Sequence, residues 1–379
     1  MPKTIYFVAG EASGDNHGAA LLRSLREIVP DLQFTGRGGP QMKAIAGGGF
    51  HDWIDQAAVV GLWDVIKNYS YFRRQFQQTL QEIENSRPEA VVLIDYPGFN
   101  LRLARALRKK EHRPRVLYYI SPQVWAWNRG RIKQMARWLD LMLCIFPFEA
   151  DLYNRSGLRT IFVGHPLHER LEAQRVQTER DPNLVALFPG SRRREIRKIF
   201  PVMLETAREL RRARPQLRFE VAAASVELAR ELEEELLFSP NERPLFEITV
   251  GRAAMTMQRA FAGIVASGSA TLEAAYFRLP FVLIYKVSWV TYLPGRLVVK
   301  VDYLGMPNVL ANRAVVPEFI QHEARPPALA AAVGRLLDDP SARAEMIASF
   351  DQIISSLGEG GASARAAAAI ADDLKAVTK

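Results

Sequence analysis

Ala266-Ser267-Gly268-Ser269-Ala270-Thr271-Leu272-Glu273-Ala274-Ala275 follows the apolar run Phe261-Ala262-Gly263-Ile264-Val265 and precedes Leu279-Pro280-Phe281-Val282-Leu283-Ile284-Tyr285. That order reads as strand, small-residue turn, helix and next buried strand, the repeating unit of a parallel α/β sheet. A turn of small residues lets backbone N–H groups converge on one point. The helix N-terminus behind it adds the positive end of a dipole, which suits a diphosphate. Glu273 falls within the first helical turn, in reach of a sugar hydroxyl. The segment reads as a nucleotide-sugar diphosphate site built on Ser267, Gly268, Ser269 and Thr271. An ordinary βα turn with a helix cap has the same pattern, so the segment alone does not decide between them.

The same alternation fills the second half. Leu184–Phe188, Arg218–Ala222, Glu247–Val250, Gly263–Ala266 and Phe281–Tyr285 read as strands, with helices at Ile199–Arg214 and Val226–Leu237. From Pro327 the chain reads helical, and Ala362–Val377 forms a last helix after Gly358-Glu359-Gly360-Gly361. The first half has strands at Thr4–Ala9, Ala90–Ile94, Val116–Ile120, Leu139–Phe146 and Thr160–Val163, and helices at Gly18–Ile28 and Leu101–Lys110. Two series of βαβ units predict an α/β protein of two parallel-sheet domains facing each other across a cleft. The expected division is an N-terminal domain at 1–170, a linker at 171–183 within the polar stretch 169–183, a C-terminal domain at 184–357 and a closing helix in 358–379. Return of that helix onto the N-terminal domain is one arrangement open to it.

A chain of 379 residues with 48% hydrophobic residues has material for two cores and is not a disordered polypeptide. The single cysteine, Cys144, lies in an apolar run and excludes an internal disulfide framework or a cysteine-rich metal site, as a reducing compartment would favour. The apolar start is too short for a secretory signal, and no run approaches the ~18 residues of a spanning helix. The expectation is a cytosolic chain or one peripheral on a membrane's inner face. A net charge of +9 and a pI near 9.7 point to acidic partners: nucleic acid, anionic lipid or a phosphorylated substrate.

Several turns at strand ends carry candidate chemistry. Gly10-Glu11-Ala12-Ser13-Gly14-Asp15-Asn16-His17-Gly18 puts two carboxylates, a hydroxyl and an imidazole after the first strand, although turn chemistry with a cap by Asp15 explains the same residues. Asp95-Tyr96-Pro97-Gly98-Phe99-Asn100 has an acid directly after an apolar strand, where desolvation would raise its pKa and make it a better base, or where it would cap a Pro-Gly turn. Ser121-Pro122-Gln123-Val124-Trp125-Ala126-Trp127-Asn128-Arg129-Gly130-Arg131 reads either as a sugar, acyl-chain and phosphate contact or as core aromatics beside a solvated basic face. His165, in Gly164-His165-Pro166, is a ligand contact or a loop histidine. Pro189-Gly190-Ser191-Arg192 has the Arg fork at a helix start that an anion requires. No Asp-x-Asp pair and no His or carboxylate cluster has metal spacing, so neither a metal nor a cofactor is called for, and Arg and amides are expected to neutralise a diphosphate. Between Val59 and Arg74 the apolar residues nearly encircle a helix with a basic end, a pattern shared by interfacial and buried helices.

Together these motifs resemble one family, the bacterial lipid-A-disaccharide synthases, membrane-associated glycosyltransferases of the GT-B type. The resemblance runs through Gly10–Asp15, Asp95–Asn100, Ser121–Trp127, Gly164–Pro166, Pro189–Arg192, Ser267–Glu273, Pro307-Asn308 and Val315–Gln321, essentially the whole chain. Phe188 stands where Leu is expected. The resemblance implies two Rossmann-like domains, UDP-2,3-diacylglucosamine as donor and 2,3-diacylglucosamine 1-phosphate (lipid X) as acceptor. The product would be a β-1,6-linked disaccharide 1-phosphate. Asp95 is the expected general base, with Glu11 and His17 as alternatives. Arg192, Ser191, Ser267, Gly268, Ser269 and Thr271 are expected on the UDP diphosphate, Glu273 on the ribose, and Ser13, Asp15, Gln123, Trp125 and Asn308 around the active site. Val59, Val60, Leu62, Trp63, Val65, Ile66, Tyr69 and Phe72 are expected to dock on anionic lipid at the inner face of the inner membrane. No nucleic-acid partner is implied, and homodimerisation is left open. The alternatives are an enzyme like UDP-N-acetylglucosamine 2-epimerase, which needs no membrane, and a non-catalytic peripheral lipid-binding protein.

Overall fold

The computed structural model describes residues 3–54, 69–237, 245–288 and 301–377. The chain forms two compact units, Met1–Pro166 with Leu357–Lys379, and Leu167–Ser356.

The first unit runs β1 (Thr4–Ala9), α1 (Ala12–Ile28), β2 (Gln33–Gly38), α2 (Pro40–Ala46), β3 (Phe50–Asp52), α3 (Tyr69–Ser86), β4 (Ala90–Ile94), α4 (Pro97–Leu107), β5 (Arg115–Tyr119), α5 (Val124–Trp127), α6 (Gly130–Trp138), β6 (Leu141–Cys144), α7 (Pro147–Asn154) and β7 (Thr160–Phe162). Its seven strands are ordered β3-β2-β1-β4-β5-β6-β7 and all pair in parallel. β4 is five consecutive buried apolar residues, as a strand covered on both faces must be. The core joins Tyr6, Val8, Leu93, Tyr118 and Met142 to Leu103, Leu107 and Met135 from the helices, with Cys144 fully buried among them.

The second unit runs α8 (Leu167–Glu172), β8 (Asp181–Phe188), α9 (Arg193–Ala213), β9 (Arg218–Ala223), α10 (Val226–Leu237), β10 (Phe246–Val250), α11 (Ala253–Arg259), β11 (Ala260–Ala266), α12 (Ser269–Tyr276), β12 (Phe281–Tyr285), α13 (Met306–Ala311), β13 (Glu318–Ile320), α14 (Pro326–Asp338) and α15 (Pro340–Ser356). Its six strands are ordered β10-β9-β8-β11-β12-β13, again parallel throughout. α9 buries Ile196, Ile199, Phe200, Met203, Ala207 and Leu210, a stripe at helical spacing.

The last helix, α16 (Ala362–Val377), packs on α1 of the first unit. Asp373, 1% exposed, accepts two hydrogen bonds from Arg115 at 2.6 and 2.7 Å and one from Arg159 at 2.9 Å. At its other end Arg365 donates to the Val163 carbonyl at 2.8 Å. Gly164, which lies against the Arg365 guanidinium, has φ +87°, a backbone that a side chain would strain and that glycine adopts freely.

Several elements start earlier than the sequence suggests. α1 begins at Ala12, so Ser13, Asp15 and His17 belong to a helix rather than to a turn, and α4 begins at Pro97, whose fixed φ suits a first turn. α8 and the first residues of β8 occupy parts of the polar stretch 169–183. β2, Gln33-Phe34-Thr35-Gly36-Arg37-Gly38, carries no strand signal. Gly36 lies so close to β1 that a Cβ would stand 2.1 Å from the Phe7 carbonyl oxygen.

Candidate active site

Strand order sets where ligands go. In an open parallel sheet the crevice lies beyond the strand ends, where the order reverses. In the first unit that point falls between β1 and β4, which pair Ala9 with Ile94. Gly10-Glu11 and Asp95-Tyr96 therefore emerge side by side. Gly10 is required there, because a Cβ would stand 2.3 Å from the Tyr96 ring.

Asp95 and Tyr96 both adopt left-handed backbone, φ +45° and +50°. Such residues each cost about 1–3 kcal/mol and persist where surrounding groups over-determine them. Here the Asp95 carbonyl is clamped by the Tyr118 hydroxyl at 2.5 Å and the Asn100 amide at 2.7 Å, while the Asp95 N–H donates to the Tyr119 carbonyl. Burial pushes the Asp95 carboxyl up to about 6, and the Glu11 carboxylate adds to the shift. Tyr96 is pushed up to about 12 by the same two causes. At pH 7 Asp95 is thus a mostly ionised, weakly solvated carboxylate, the state a general base needs.

Other expected residues behave differently. Asp15 is buried and accepts backbone N–H bonds from Gly39, Gln41 and Met42 at 2.9–3.0 Å. It caps α2, not its own helix, and its carboxylate is occupied by that role. Ser13 is exposed and His17 half-buried on α1. Gln123 is exposed at the start of α5. Trp125 is buried, its indole donating at 2.9 Å to Glu149, so it supports the turn from beneath instead of offering a face. Trp127 is the open ring, 40% exposed with the Arg131 guanidinium 5.3 Å from its centroid. Glu149, fully buried, also accepts the Phe146 N–H, and burial pushes it up to about 7. No sequence signal marked Glu149 or Tyr118, and Asn100 stood only as the last residue of the Asp95 motif. Each is an unremarkable residue in a helix or strand whose role depends on what folds onto it.

In the second unit the order reverses between β8 and β11, which pair Phe188 with Val265. Pro189-Gly190-Ser191-Arg192 and Ser267-Gly268 thus leave adjacent strands. Gly268 has φ +150° and ψ −163°, a region open essentially only to glycine. Ser269 opens α12, where the Thr271 N–H bonds the Gly268 carbonyl and the Ser269 and Ala270 N–H groups, at the helix start, have no carbonyl of their own helix to meet. Ser191, Arg192, Gly268 and Ser269 are exposed at this edge and Ser267 is half-buried. Arg192 pairs with Glu195 at 2.8 Å, and both act on Tyr285, which burial pushes above its ordinary range. Thr271 differs from expectation: it is fully buried and its hydroxyl donates to the Gly268 carbonyl at 2.7 Å, which holds the turn. Glu273 pairs with Arg170 of α8 at 2.7 Å.

Asn308 is also a structural residue. Its side chain donates to the Val316 carbonyl and to Glu318 and accepts from the Val315 and Val316 N–H groups, all at 2.8 Å. Its removal leaves the Val316 carbonyl and the Val315 and Val316 N–H groups without this partner, whereas Glu318 keeps the Leu304 and Gly305 N–H groups, so Asn308→Ala should cost about 2–4 kcal/mol in chemical denaturation. Wild-type stability with lost turnover would instead put Asn308 at the substrate.

Val59–Ile66 of the expected docking segment lie outside the described residues, as does the side chain of Tyr69. Phe72 is half-buried, edge-on to Tyr71 at 5.5 Å. Among the described residues no helix is long and apolar enough to cross a membrane, and no three His, Cys, Asp or Glu side chains form a metal-ligand group.

Structures with this two-unit architecture include the UDP-GlcNAc 2-epimerase of Neisseria meningitidis, at TM-score 0.60 and 11% identity over 97% of this chain and 99% of that one. A calicheamicin glycosyltransferase superposes at TM-score 0.59 and 14% identity over the whole of both chains. At such identities these similarities establish the fold alone, that of GT-B glycosyltransferases and related epimerases. In sequence, the chain is 41% identical to the lipid-A-disaccharide synthase of Geobacter sulfurreducens over 98% of its own length and 97% of the relative's. It is 37% identical to that of Myxococcus xanthus over 97% of each. The profile of the lipid-A-disaccharide synthetase family matches residues 5–371, and the chain belongs to that family.

Proposed function

We propose that the chain transfers a 2,3-diacylglucosamine unit from its UDP donor to the 6-hydroxyl of 2,3-diacylglucosamine 1-phosphate, giving the β-1,6-linked lipid A disaccharide 1-phosphate and UDP. The observation that carries this reading is Asp95, a strained, desolvated carboxylate at one sheet's reversal point, together with a Gly-Ser helix start and an Arg at the other's. Asp95 accepts the proton of the acceptor hydroxyl as its oxygen attacks C1. The C1–O bond to UDP breaks on the opposite face and the anomeric centre inverts. Arg192, with the amides around Gly268 and Ser269, takes up the charge on the departing diphosphate. Glu273, held by Arg170, accepts from a ribose hydroxyl. Glu11 raises the basicity of Asp95 by its charge.

The test is UDP release from the diacylated donor with and without the lipid acceptor. Release only with acceptor, accompanied by disaccharide, is expected. UDP release or sugar epimerisation without acceptor would favour an epimerase-like reaction. Because Arg and amides serve the leaving group, turnover should persist in EDTA, and Arg192→Ala should lower it by roughly 100-fold or more. Complete loss in chelator, restored by Mg²⁺, would overturn that assignment.

The substrates are amphiphiles, so the enzyme should work as a peripheral protein on the cytoplasmic face of the inner membrane. Val59–Phe72 supply the apolar contact, each inserted side chain contributing on the order of 1–2 kcal/mol. Replacing Val60, Leu62, Trp63 and Ile66 together by Ser should reduce the need for detergent with little change in melting temperature. A collapse in melting temperature would mean that the segment is core.

A further inference from the structure

The second unit holds a cavity of about 630 Å³ away from its donor turn. Its wall is the polar stretch that leads from α8 into β8, closed by residues of α11, the end of α12 and α15. β8 and β11 pair Asp181 with Ala260, so the cavity lies at the amino ends of these strands. The Ser267–Ser269 turn leaves the other end of β11, about 20 Å away at the rise of a strand. The wall is tied down. Gln258, 8% exposed, accepts the Val176 N–H at 2.8 Å and donates to the Gln174 carbonyl at 3.0 Å.

Four charged residues line the cavity, and three are arginines: Arg175, Arg180 and Arg278 against Glu172. Arg180 donates to the carbonyls of Met257 at 2.9 Å, Phe277 at 2.5 Å and Ala260. These acceptors are neutral, and among the described residues no carboxylate pairs with Arg180. Two of its five N–H donors, Nε among them, are left over. Burial pushes this guanidinium down to about 10, the direction expected of a cation without a counter-charge.

Arg278 follows the end of α12 with φ +54°, at a position where helices commonly take glycine. Its ion pair with Asp351, at 2.6 Å, is exposed on both sides. A left-handed backbone costs a residue with a Cβ more than such a pair returns. Backbone fit does not explain an arginine here, whereas a place beside an anion does. Arg175 pairs at 3.0 Å with Glu172, also exposed, so exchanging that carboxylate for a ligand's oxygens costs little.

We infer that this cavity binds a phosphate-bearing anion, held by the spare donors of Arg180 and the forks of Arg175 and Arg278. Its volume is that of a pocket for a small organic ligand, and Phe277 and Ile347 offer an apolar wall to the ligand's carbon body. The site stands apart from the transfer reaction and does not depend on it.

The test is equilibrium dialysis of the full chain against radiolabelled inorganic phosphate at physiological salt, where unspecific surface attraction is screened. Arg278→Gly should weaken binding about tenfold without lowering the melting temperature, because glycine suits the left-handed position. Arg175→Gln should weaken it by a similar factor, and Arg180→Gln should abolish it. If Arg180→Gln fails to fold, the other two variants decide. Arg192→Ala, at the donor turn, should retain the binding that the two cavity variants lose. Glycerol 3-phosphate should displace the label better than unlabelled phosphate does, as a carbon body against Phe277 and Ile347 requires; equal displacement assigns the site to free phosphate. A wild type that binds no phosphate overturns the inference. So does binding unaltered in Arg278→Gly and Arg175→Gln, and so does binding lost in Arg192→Ala alone, which would put the anion at the donor turn.

Discussion

Asp95→Asn is expected to lower turnover by roughly two to four orders of magnitude and at the same time to stabilise the protein above pH 6. Both effects have one cause. Burial and the Glu11 charge hold the Asp95 carboxyl up at about 6, whereas an unfolded Asp titrates near 3.9. The folded state therefore favours the neutral acid. That contribution is fully present below about pH 4 and is lost as pH rises through about 6, leaving an ionised carboxylate that destabilises the fold by about 1–3 kcal/mol. Asn removes this cost along with the base. In the wild type, kcat/KM should fall on the acid side with an apparent pKa near 6, and in the variant that limb should vanish. Urea unfolding at pH 5 and pH 8 reads the stability difference. A variant with near-wild-type turnover removes Asp95 from catalysis. A variant that is inactive and less stable at pH 8 makes it a structural residue.

The anchoring of α16 should respond unequally to loss of its two kinds of partner. Asp373 is 1% exposed, whereas Arg115 and Arg159 are 29% and 56% exposed. Arg115→Met leaves a buried carboxylate with only Arg159, which should cost about 3–5 kcal/mol. Asp373→Asn leaves two arginines that can reach water, and the amide still accepts a hydrogen bond, so it should cost only about 1–2 kcal/mol. Denaturant midpoints of the two variants decide the order, and hydrogen exchange in α16 should rise most in Arg115→Met. The reverse order would mean that the cations are the trapped charges.

Local pattern sufficed for much of this protein. β4 and β12 are short apolar runs between turn signals, and no other reading suits them. The Gly-Ser turn at 267–269 announces a strand-to-helix junction whatever the rest of the fold does, because Gly268 adopts a backbone open essentially only to glycine. Asp95 could be singled out because an acid at the end of an apolar strand must lie at a sheet's edge. The lipid-A-disaccharide synthase resemblance was legible because several such turns occur together along one chain.

Other features depended on contacts distant in sequence. β2 has no strand signal because the close approach of β1 at Gly36, not side-chain pattern, selects its residues. Asp15 looks like a ligand contact in its motif, but it is buried and accepts the Gly39 N–H across 24 residues. Trp125 and Trp127 are two residues apart in one turn, and the first is buried against Glu149 and the Phe148 ring. The juxtaposition of Glu11 with Asp95 arises from the β1–β4 pairing, which joins segments more than eighty residues apart. The sequence by itself determined which backbone conformations and which faces were available. The tertiary structure decided which polar groups were consumed inside the fold, because burial leaves a donor or acceptor no partner but the one that packing brings to it.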